Sequence, residues 1–226
     1  MNPISPERSG WLLEPEAMML LQSHGFPFPR WKWAATEDDA VTWLQGRQRP
    51  VVAKVVSPAI LHKSNVGGVV TGLRTPHEVA DAFRHMSALC REMAAPFRGV
   101  LLVEEAGPAP EVIVGLTTDE EFDRVVLFGA GGVTVELYRD VSFRPLQLLT
   151  PAAARRMIED TKVGRYLAAA RVRCYDVESL VELLVKVGEL ALAEPRLTEL
   201  DLNPVRVYDQ GALVLDVRLH FDSPGG

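Results

Sequence analysis

A strand, a polar break, a second strand and a long helix follow one another in the first half of the sequence, and this order constrains the fold class. The β-branched run "VVAKVV" (51–56) predicts a buried strand, and "VVTGL" (69–73) predicts a second strand, as in a hairpin. Thr75 and Glu78 then form a capping box, and the apolar residues that follow step by four and three along one helical face. This helix is predicted to be structural scaffolding.

The rest of the sequence continues to interleave helices and strands. Further helices are predicted from residue 14 to Gly25, after the cap Thr36, after Thr150 and after Asp176. Strands are predicted for "VLLVEE", "EVIVGLT", "RVVLFGAGG", "VTVELY" and a C-terminal hairpin. We therefore predict an α+β (α/β) protein of two lobes, residues 1–100 with the leader helix and residues 101–226 with the hairpin.

Charge and composition exclude several classes of protein. The chain has 226 residues and a formal net charge of −6 without clustered Lys or Arg, which argues against binding nucleic acid or an anionic membrane. No apolar segment approaches the length of a membrane span, and the opening "MNPISPERSG" lacks the apolar core of a signal peptide. Cys90 and Cys174 form no metal-binding or redox spacing. We expect a cytoplasmic protein.

A lysine among valines and the loop that follows it are candidates for binding an anion. An unpaired buried ammonium is costly, so Lys54 either reaches a sheet edge or finds an anion. In the loop "SPAILHKSNVGGVV" (57–70), Gly67 and Gly68 let the backbone approach a ligand, and Lys63 adds positive charge. A phosphate cradle and an ordinary Gly-Gly hairpin turn both fit this loop.

Three oxygen-bearing side chains converge in the predicted C-terminal hairpin. The alternation of "LDLNP" places Asp201 and Asn203 on one strand face. Folding around residues 209–211 brings Asp216 opposite Asn203 or one residue beyond. A few hard oxygen ligands suit Mg²⁺ that shares its other positions with phosphate and water. The alternative is that Asp201 and Asn203 line a solvated strand face or begin an Asx turn before Pro204.

Three glutamates lie near the predicted crossing between the lobes. Glu104 and Glu105 follow the apolar run "VLLV", and Glu111 begins the next strand. Their carboxylates can accept hydrogen bonds from a ribose or an amino group. They can equally serve as edge charges that discourage strand aggregation.

The sequence resembles the ATP-grasp β subunit of NDP-forming acyl-CoA synthetases, the group of the ADP-forming acetate–CoA ligases, in "VVAKVVSPAILHKSNVGGVVTGL", "FGAGGVTVELYRDVSFRPLQL" and "TELDLNPVRV". The likeness runs from about Glu14 to Leu219. It implies an ATP-grasp fold whose two lobes clasp the nucleotide. It also implies an acid–thiol ligase that uses ATP or ADP and Mg²⁺ and interconverts acyl-CoA, ADP and phosphate with free acid, ATP and CoA. The reaction would run through an acyl phosphate and phosphohistidine.

The resemblance further implies roles for residues of the loop. His62 matches the position of a phosphorylated histidine. Lys54 matches a lysine that contacts the nucleotide phosphates, and Gly67 and Gly68 match the glycine loop above them. The sequence departs from the family at Asn65, where an Asp is usual.

Acidic residues also match family positions. Glu104 and Glu105 match the segment that meets the adenosine, and Glu111 matches a glutamate of the following strand. Asn203 and Asp216 match Mg²⁺ ligands, and Asp201 matches the acidic residue of the DxNP box.

The full reaction also needs a CoA-binding domain, which these residues do not contain. We therefore expect a CoA-binding α subunit on a separate chain and a hetero-oligomer. One alternative is a non-catalytic ATP-grasp module that binds nucleotide and regulates a partner. Another is an ATP-grasp carboxylate–amine ligase, which would leave His62 without a role.

Overall fold

A computed structural model describes residues 9–132, 140–170 and 174–223 of the chain. Its strands are β1 (Gly10–Trp11), β2 (Trp31–Ala34), β3 (Val51–Val55), β4 (Val69–Leu73), β5 (Val100–Glu104), β6 (Glu111–Asp119), β7 (Asp123–Ala130), β8 (Val141–Pro145), β9 (Leu197–Val207), β10 (Ala212–Val214) and β11 (Val217–Phe221). Its α-helices are α1 (Glu14–Ser23), α2 (Glu37–Leu44), α3 (Pro76–Glu92), α4 (Pro151–Asp160), α5 (Lys162–Ala169) and α6 (Val177–Ala193). The predicted strand "VTVELY" lies outside the described residues.

The chain divides into two compact units. The small unit comprises Leu13–Pro15 and Pro29–Gly107, and the large unit comprises Met1–Leu12, Glu16–Phe28 and Pro108–Gly226. Each unit has its own antiparallel sheet. The prediction of an α+β protein is confirmed.

The sheet of the small unit has the strand order β2-β5-β3-β4. β3 pairs with β4 as the predicted hairpin and with β5 on its other side. Thr75 caps α3 and forms the predicted capping box with Glu78. Buried Val79, Phe83 and Met86 of α3 pack in one core with the strands, so the helix is scaffolding as predicted.

The sheet of the large unit has the order β1-β11-β9-β6-β7-β8, and β10 pairs with β9. Val112, Val114 and Leu116 alternate into the core along β6, against which α6 packs. The residues that alternate with them on β6 point to the other face of the sheet and are Glu111, Ile113, Gly115 and Thr117. Gly115 is buried, and the other three are partly exposed. The candidate residues of this unit lie on the partly covered face. No helix in the described ranges is long and apolar enough to cross a membrane.

The boundary between the units differs from the predicted lobe boundary at residue 100. β5 begins at Val100 and pairs with β2 and β3, so it lies in the small unit, which extends to Gly107. The leader helix belongs to the large unit from Glu16 onward. Both differences arise because contacts between residues distant in sequence, strand pairing for β5 and the bonds from Lys186 Nζ to Gly25 O and from Val214 N to Pro27 O after the leader helix, decide to which unit a segment belongs.

Candidate active site

Glu14, the first residue of α1, forms ion pairs with both lysines that the sequence predicts to bind phosphate. Its Oε1 lies 2.5 Å from Lys54 Nζ, and its Oε2 lies 2.9 Å from Lys63 Nζ. The side chain of Glu14 is 2% exposed, and those of Lys54 and Lys63 are 12% and 17% exposed. Two ammonium groups around one carboxylate leave a net charge of +1 when all three are ionised. Glu14 was not predicted, because an acidic residue in a first helical turn is ordinarily attributed to the helix dipole.

The strand β3 and the loop after it place both lysines next to this carboxylate. Val51, Ala53 and Val55 alternate into the core of the small unit, so the Lys54 side chain points to the opposite face of β3. Lys63 is the first residue of a short 3-10 helix in the loop after β3. The anion that the sequence required for Lys54 is therefore a carboxylate of the protein itself.

The backbone at Gly67 and Gly68 has little conformational freedom. Gly67 ends the 3-10 helix with a φ of 74°, in the left-handed region that favours glycine. A Cβ on Gly68 would lie 2.6 Å from Val55 Cγ1, so a larger residue would force the Val55 side chain to move. His85 Nε2 of α3 lies 3.1 Å from Gly67 O. His62 directly precedes the 3-10 helix and is exposed, as an acceptor of a phosphoryl group must be.

Glu104 and Glu105 both contact groups of the small unit. Glu104 Oε1 accepts a hydrogen bond from Arg47 Nη1 at 3.2 Å, and the Arg47 guanidinium lies 4.6 Å from the centroid of the Trp43 ring. Glu105 Oε1 accepts a hydrogen bond from Gly72 N at 2.5 Å. These contacts orient both carboxylates, and their role toward adenosine stays a prediction.

Asp201 lies on the partly covered face of the large sheet. It is opposite Gly115 on β6 and opposite Arg218 on β11. Its Oδ1 is buried and has no hydrogen-bond partner among the described residues. Burial raises the pKa of the Asp201 carboxyl, Arg218 lowers this pKa, and the charges of Asp216 and Glu199 raise it. The orphaned oxygen marks a position where a proton, a water or a cation would be stabilised.

Asn203 and Asp216 are neighbours, as the predicted hairpin requires. Asn203 N donates to Asp216 O at 3.3 Å, and Asn203 Oδ1 accepts a hydrogen bond from Gly132 N at 3.2 Å. Asp216 Oδ1 accepts a hydrogen bond from Val217 N at 3.1 Å. In the part of the chain that the structure describes, no group of three or more His, Cys, Asp or Glu is placed to hold a metal ion. Two oxygen ligands fit Mg²⁺ that takes its remaining ligands from phosphate and water.

Glu111 pairs with an arginine that the sequence did not single out. Arg206 lies directly opposite on β9, and its Nε and Nη2 donate to Glu111 Oε1 at 3.0 and 2.9 Å. The Arg206 side chain is 26% exposed, and the Glu111 side chain is 29% exposed. The sequence "LDLNPVRV" can predict the strand β9, but only the register of β9 with β6 places Arg206 across from Glu111.

The predicted residues thus form two groups, each within one unit. The small unit places His62, Lys54, Lys63, Gly67 and Gly68 on β3 and the loop after it. The large unit places Asp201, Asn203 and Asp216 in one hairpin, with Glu111 on the neighbouring strand.

The ATP-grasp domain family matches residues 4–221 of the chain. The β subunit of ADP-forming acetate–CoA ligase I from Pyrococcus furiosus is 39% identical over 211 residues, which cover 92% of this chain and 90% of that protein. The ADP-forming acetate–CoA ligase II of Archaeoglobus fulgidus is 38% identical over 92% of this chain, which spans 30% of that longer protein.

A solved structure is also similar over nearly the whole chain. It is the dinucleotide-forming acetyl-coenzyme A synthetase 1 of Ca. Korarchaeum cryptofilum in complex with coenzyme A and Mg-AMPPCP, with its phosphohistidine segment pointing towards the nucleotide-binding site. Its TM-score is 0.81 at 36% identity, covering 94% of this chain and 93% of that one. The predicted resemblance is confirmed, and the chain belongs to the ATP-grasp family, in the group of the β subunits of ADP-forming acetate–CoA ligases.

Proposed function

We propose that this chain is the nucleotide-binding, phosphoryl-transferring β subunit of an ADP-forming acyl-CoA synthetase. The enzyme would interconvert acyl-CoA, ADP and phosphate with free acid, ATP and CoA. One observation carries the proposal: exposed His62 directly precedes Lys63, whose ammonium shares the buried carboxylate of Glu14 with Lys54. A nucleophile thus lies in sequence next to a net positive cluster and a glycine loop, which is the arrangement that phosphoryl transfer requires.

In the proposed step, a ring nitrogen of His62 attacks the γ-phosphorus of ATP. A phosphorus–nitrogen bond forms, the bond from the γ-phosphorus to the β,γ-bridging oxygen breaks, and ADP leaves with that oxygen and its electron pair. The reverse step makes ATP from ADP and phosphohistidine. Lys54 and Lys63 would offset the charge of the phosphates. Gly67 and Gly68 would let the loop backbone approach the phosphates closely, since their own N–H groups already donate to carbonyls of the loop.

Carboxylate and amide side chains would hold and orient the nucleotide. Asn203 and Asp216 would supply oxygen ligands for Mg²⁺, which when bound neutralises the phosphate oxygens. Glu104 and Glu105, with their orientation fixed by Arg47 and by Gly72 N, would accept hydrogen bonds from the nucleoside. Asp201 would complete the acidic group of the hairpin, and Glu111, held by Arg206, would contribute from the neighbouring strand.

We further propose that the chain works with a CoA-binding α subunit in a hetero-oligomer. The Pyrococcus furiosus relative is itself a β subunit of nearly the same length. The longer Archaeoglobus fulgidus relative contains the similar region within one chain. The phosphoryl group would then pass between His62 and a group of the partner.

The proposal is tested by incubating the chain with Mg²⁺ and ATP labelled in the γ-phosphate. Wild type should acquire an acid-labile, base-stable label, and His62→Ala should reduce it to background. His77→Ala is the matched control, because His77 is exposed on α3 and forms only a surface ion pair with Asp81. Equal labelling of His62→Ala and wild type would overturn the assignment.

The same samples are then tested with a CoA-binding partner from the same source. Acyl-CoA-dependent formation of ATP on addition of the partner is the expected result. Label that appears only with the partner would keep His62 as a transfer residue and show that the chain does not phosphorylate it alone. Neither label nor ATP formation under any of these conditions would overturn the proposed function.

A further inference from the structure

The loop that carries His62 has few buried side chains. Of residues 61–67, Leu61, His62, Ser64, Asn65 and Gly67 are exposed, while Lys63 and Val66 are partly buried. The backbone bond from Asn65 N to His62 O lies within the loop itself and does not attach it to other parts of the protein. Contacts that fix this loop must therefore come mainly from its two partly buried side chains and from the backbone near the glycines.

Contacts at Val66, Gly67 and Gly68 hold the C-terminal end of the loop, and one of them reaches back to Lys63, the residue after His62. Gly68 N donates to Lys63 O at 2.8 Å, and His85 Nε2 lies 3.1 Å from Gly67 O. Val66 packs against the apolar core of the small unit. On the two sides of His62, Ile60 is buried in the core of the small unit and the Lys63 side chain forms the ion pair with Glu14.

We infer that Glu14 is a positioning residue for phosphoryl transfer, a role that rests on the proposed function. Its Oε1 accepts a hydrogen bond from the Lys54 ammonium on β3. Its Oε2 attaches the His62 loop through the ion pair with Lys63, a contact at 2.9 Å that lacks the geometry of a hydrogen bond. One carboxylate therefore sets the position of both lysines relative to each other and to His62. Glu14 acts through these residues and is not assigned a contact with the substrate.

Burial makes this anchor effective. The Glu14 side chain is 2% exposed, so its attraction to the lysines is only weakly screened by water. Without the carboxylate, two ammonium groups would be left close together and would repel each other. Lys63 would then move outward to be solvated, and the backbone that carries His62 would move with it. A displacement of this kind is costly for catalysis, because a shift of about 1 Å can slow a reaction by about 100-fold.

The anchor is tested by hydrogen–deuterium exchange of the chain alone, without any substrate. Glu14→Gln and Lys63→Met each remove the Glu14–Lys63 ion pair, and we expect exchange of the 61–67 backbone to become about tenfold faster or more in each. Lys54→Met is the matched control, because it removes a lysine from the same carboxylate and leaves the Glu14–Lys63 pair in place. Its exchange at residues 61–67 should equal that of wild type.

Lys63→Met and Lys54→Met keep the test decisive if Glu14→Gln is too unstable to fold. Each leaves one ammonium paired with Glu14, so neither strands a buried charge. Equal exchange of residues 61–67 in folded Lys63→Met, Lys54→Met and wild type would overturn the inference. Faster exchange spread over the whole small unit in Lys63→Met would also overturn it, because a general loss of stability is not an anchor.

The catalytic arm measures single-turnover labelling of His62 by ATP in the same variants. Glu14→Gln should lower the labelling rate at saturating ATP about tenfold or more, with Glu14→Asp restoring part of it. Glu37→Gln, which removes an exposed ion pair with Arg84, should label at the wild-type rate. If wild type itself is not labelled, the proposed function fails, and the exchange result still decides the anchor. A wild-type labelling rate in folded Glu14→Gln would refute the positioning role while leaving His62 as the acceptor.

Discussion

The Asp201 carboxylate lies opposite Arg218 in the large sheet and presents a buried Oδ1 that has no hydrogen-bond partner in the described part of the chain. Burial is the largest influence on its pKa and raises it, so the ionised form is disfavoured in the folded protein. A carboxylate placed in this way reduces stability at neutral pH. Its presence is explained if the negative charge is used when nucleotide binds.

Asp201→Asn is therefore expected to stabilise the folded protein and to impair phosphorylation of His62. The neutral amide is less costly to bury than a carboxylate, and we expect the free energy of unfolding at pH 7 to rise by on the order of 1 kcal/mol. Nucleotide-dependent labelling of His62 should fall in the same variant. Urea denaturation with a chelator present measures the first effect, and the labelling assay measures the second.

Glu199→Gln is the control for this prediction. Glu199 is an exposed neighbour on β9, so its replacement should change the free energy of unfolding by less than about 0.5 kcal/mol. Destabilisation by Asp201→Asn at neutral pH would show that the attraction to Arg218 outweighs the cost of burial. In that case Asp201 would be a structural partner of Arg218.

The sequence alone shows that Lys54 needs an anionic partner, but it does not show that Glu14 is that partner. Lys54 stood out because a charge among valines needs a partner, and the structure supplies Glu14. Glu14 did not stand out, because its neighbours in sequence offer it an ordinary place at the start of a helix. Its partners lie about 40 and 50 residues away, and only the tertiary fold brings them near. A residue's own chemistry can thus reveal that a partner is needed without identifying it.

At the scale of elements, α3 offers a stability test with a defined pH dependence. Glu78 Oε2 accepts hydrogen bonds from Arg74 N and Thr75 N, both at 2.8 Å. These bonds favour the ionised form and hold the pKa of Glu78 below its ordinary value of 4.5. Because the folded pKa is the lower one, the stabilisation is present above the unfolded value and is lost as the pH falls through the folded value.

Glu78→Gln should therefore be less stable than wild type at pH 7, and the two should converge as the pH falls through the lowered folded pKa of Glu78. Urea denaturation across this range measures the difference. Thr150→Ala at the start of α4 is the control, because the Thr150 hydroxyl accepts from Ala153 N in a first turn without acidic residues. Its loss of about 1 kcal/mol should not depend on pH, since a hydroxyl does not titrate. A pH-independent deficit in Glu78→Gln would show that the charge of Glu78 is not what stabilises the cap.

Among the elements, those with local signals were predictable. Caps at Thr36, Thr75, Thr150 and Asp176 each begin a helix in the structure, because capping is a contact within a few residues. The strand β8 had no such signal, since its partner β7 supplies the hydrogen bonds that define it. For the same reason Arg206 was not paired with Glu111, a contact between strands far apart in sequence.

At the scale of the whole molecule, the order of elements predicted two units but not their limits. β5 follows α3 in sequence and is central in the sheet of the small unit, between β2 and β3. A boundary placed before β5 would expose both neighbours of that strand. The boundary after Gly107 keeps all four strands together, and only long-range pairing reveals this.

Binding of nucleotide and metal is also a property of the whole molecule, because a ligand that binds only the folded state raises its stability. A nucleotide present at 100 times its dissociation constant adds about 2.7 kcal/mol. If Asn203 and Asp216 supply the Mg²⁺ ligands, the part of this gain that depends on Mg²⁺ should vanish in the double variant Asn203→Ala/Asp216→Ala.

The measurement compares melting temperatures with a non-hydrolysable ATP analogue in the presence of Mg²⁺ or of a chelator. Wild type should melt at a higher temperature with Mg²⁺ than with the chelator, whereas the double variant should show no difference. Asp209→Ala is the control, because Asp209 is exposed in the turn of the same hairpin and its loss should leave the Mg²⁺ effect intact. An undiminished Mg²⁺ effect in the double variant would remove the metal site from this hairpin. Nucleotide binding would then be attributed to Lys54 and Lys63 of the small unit. Their net positive charge with Glu14 does not depend on a metal held by Asn203 and Asp216.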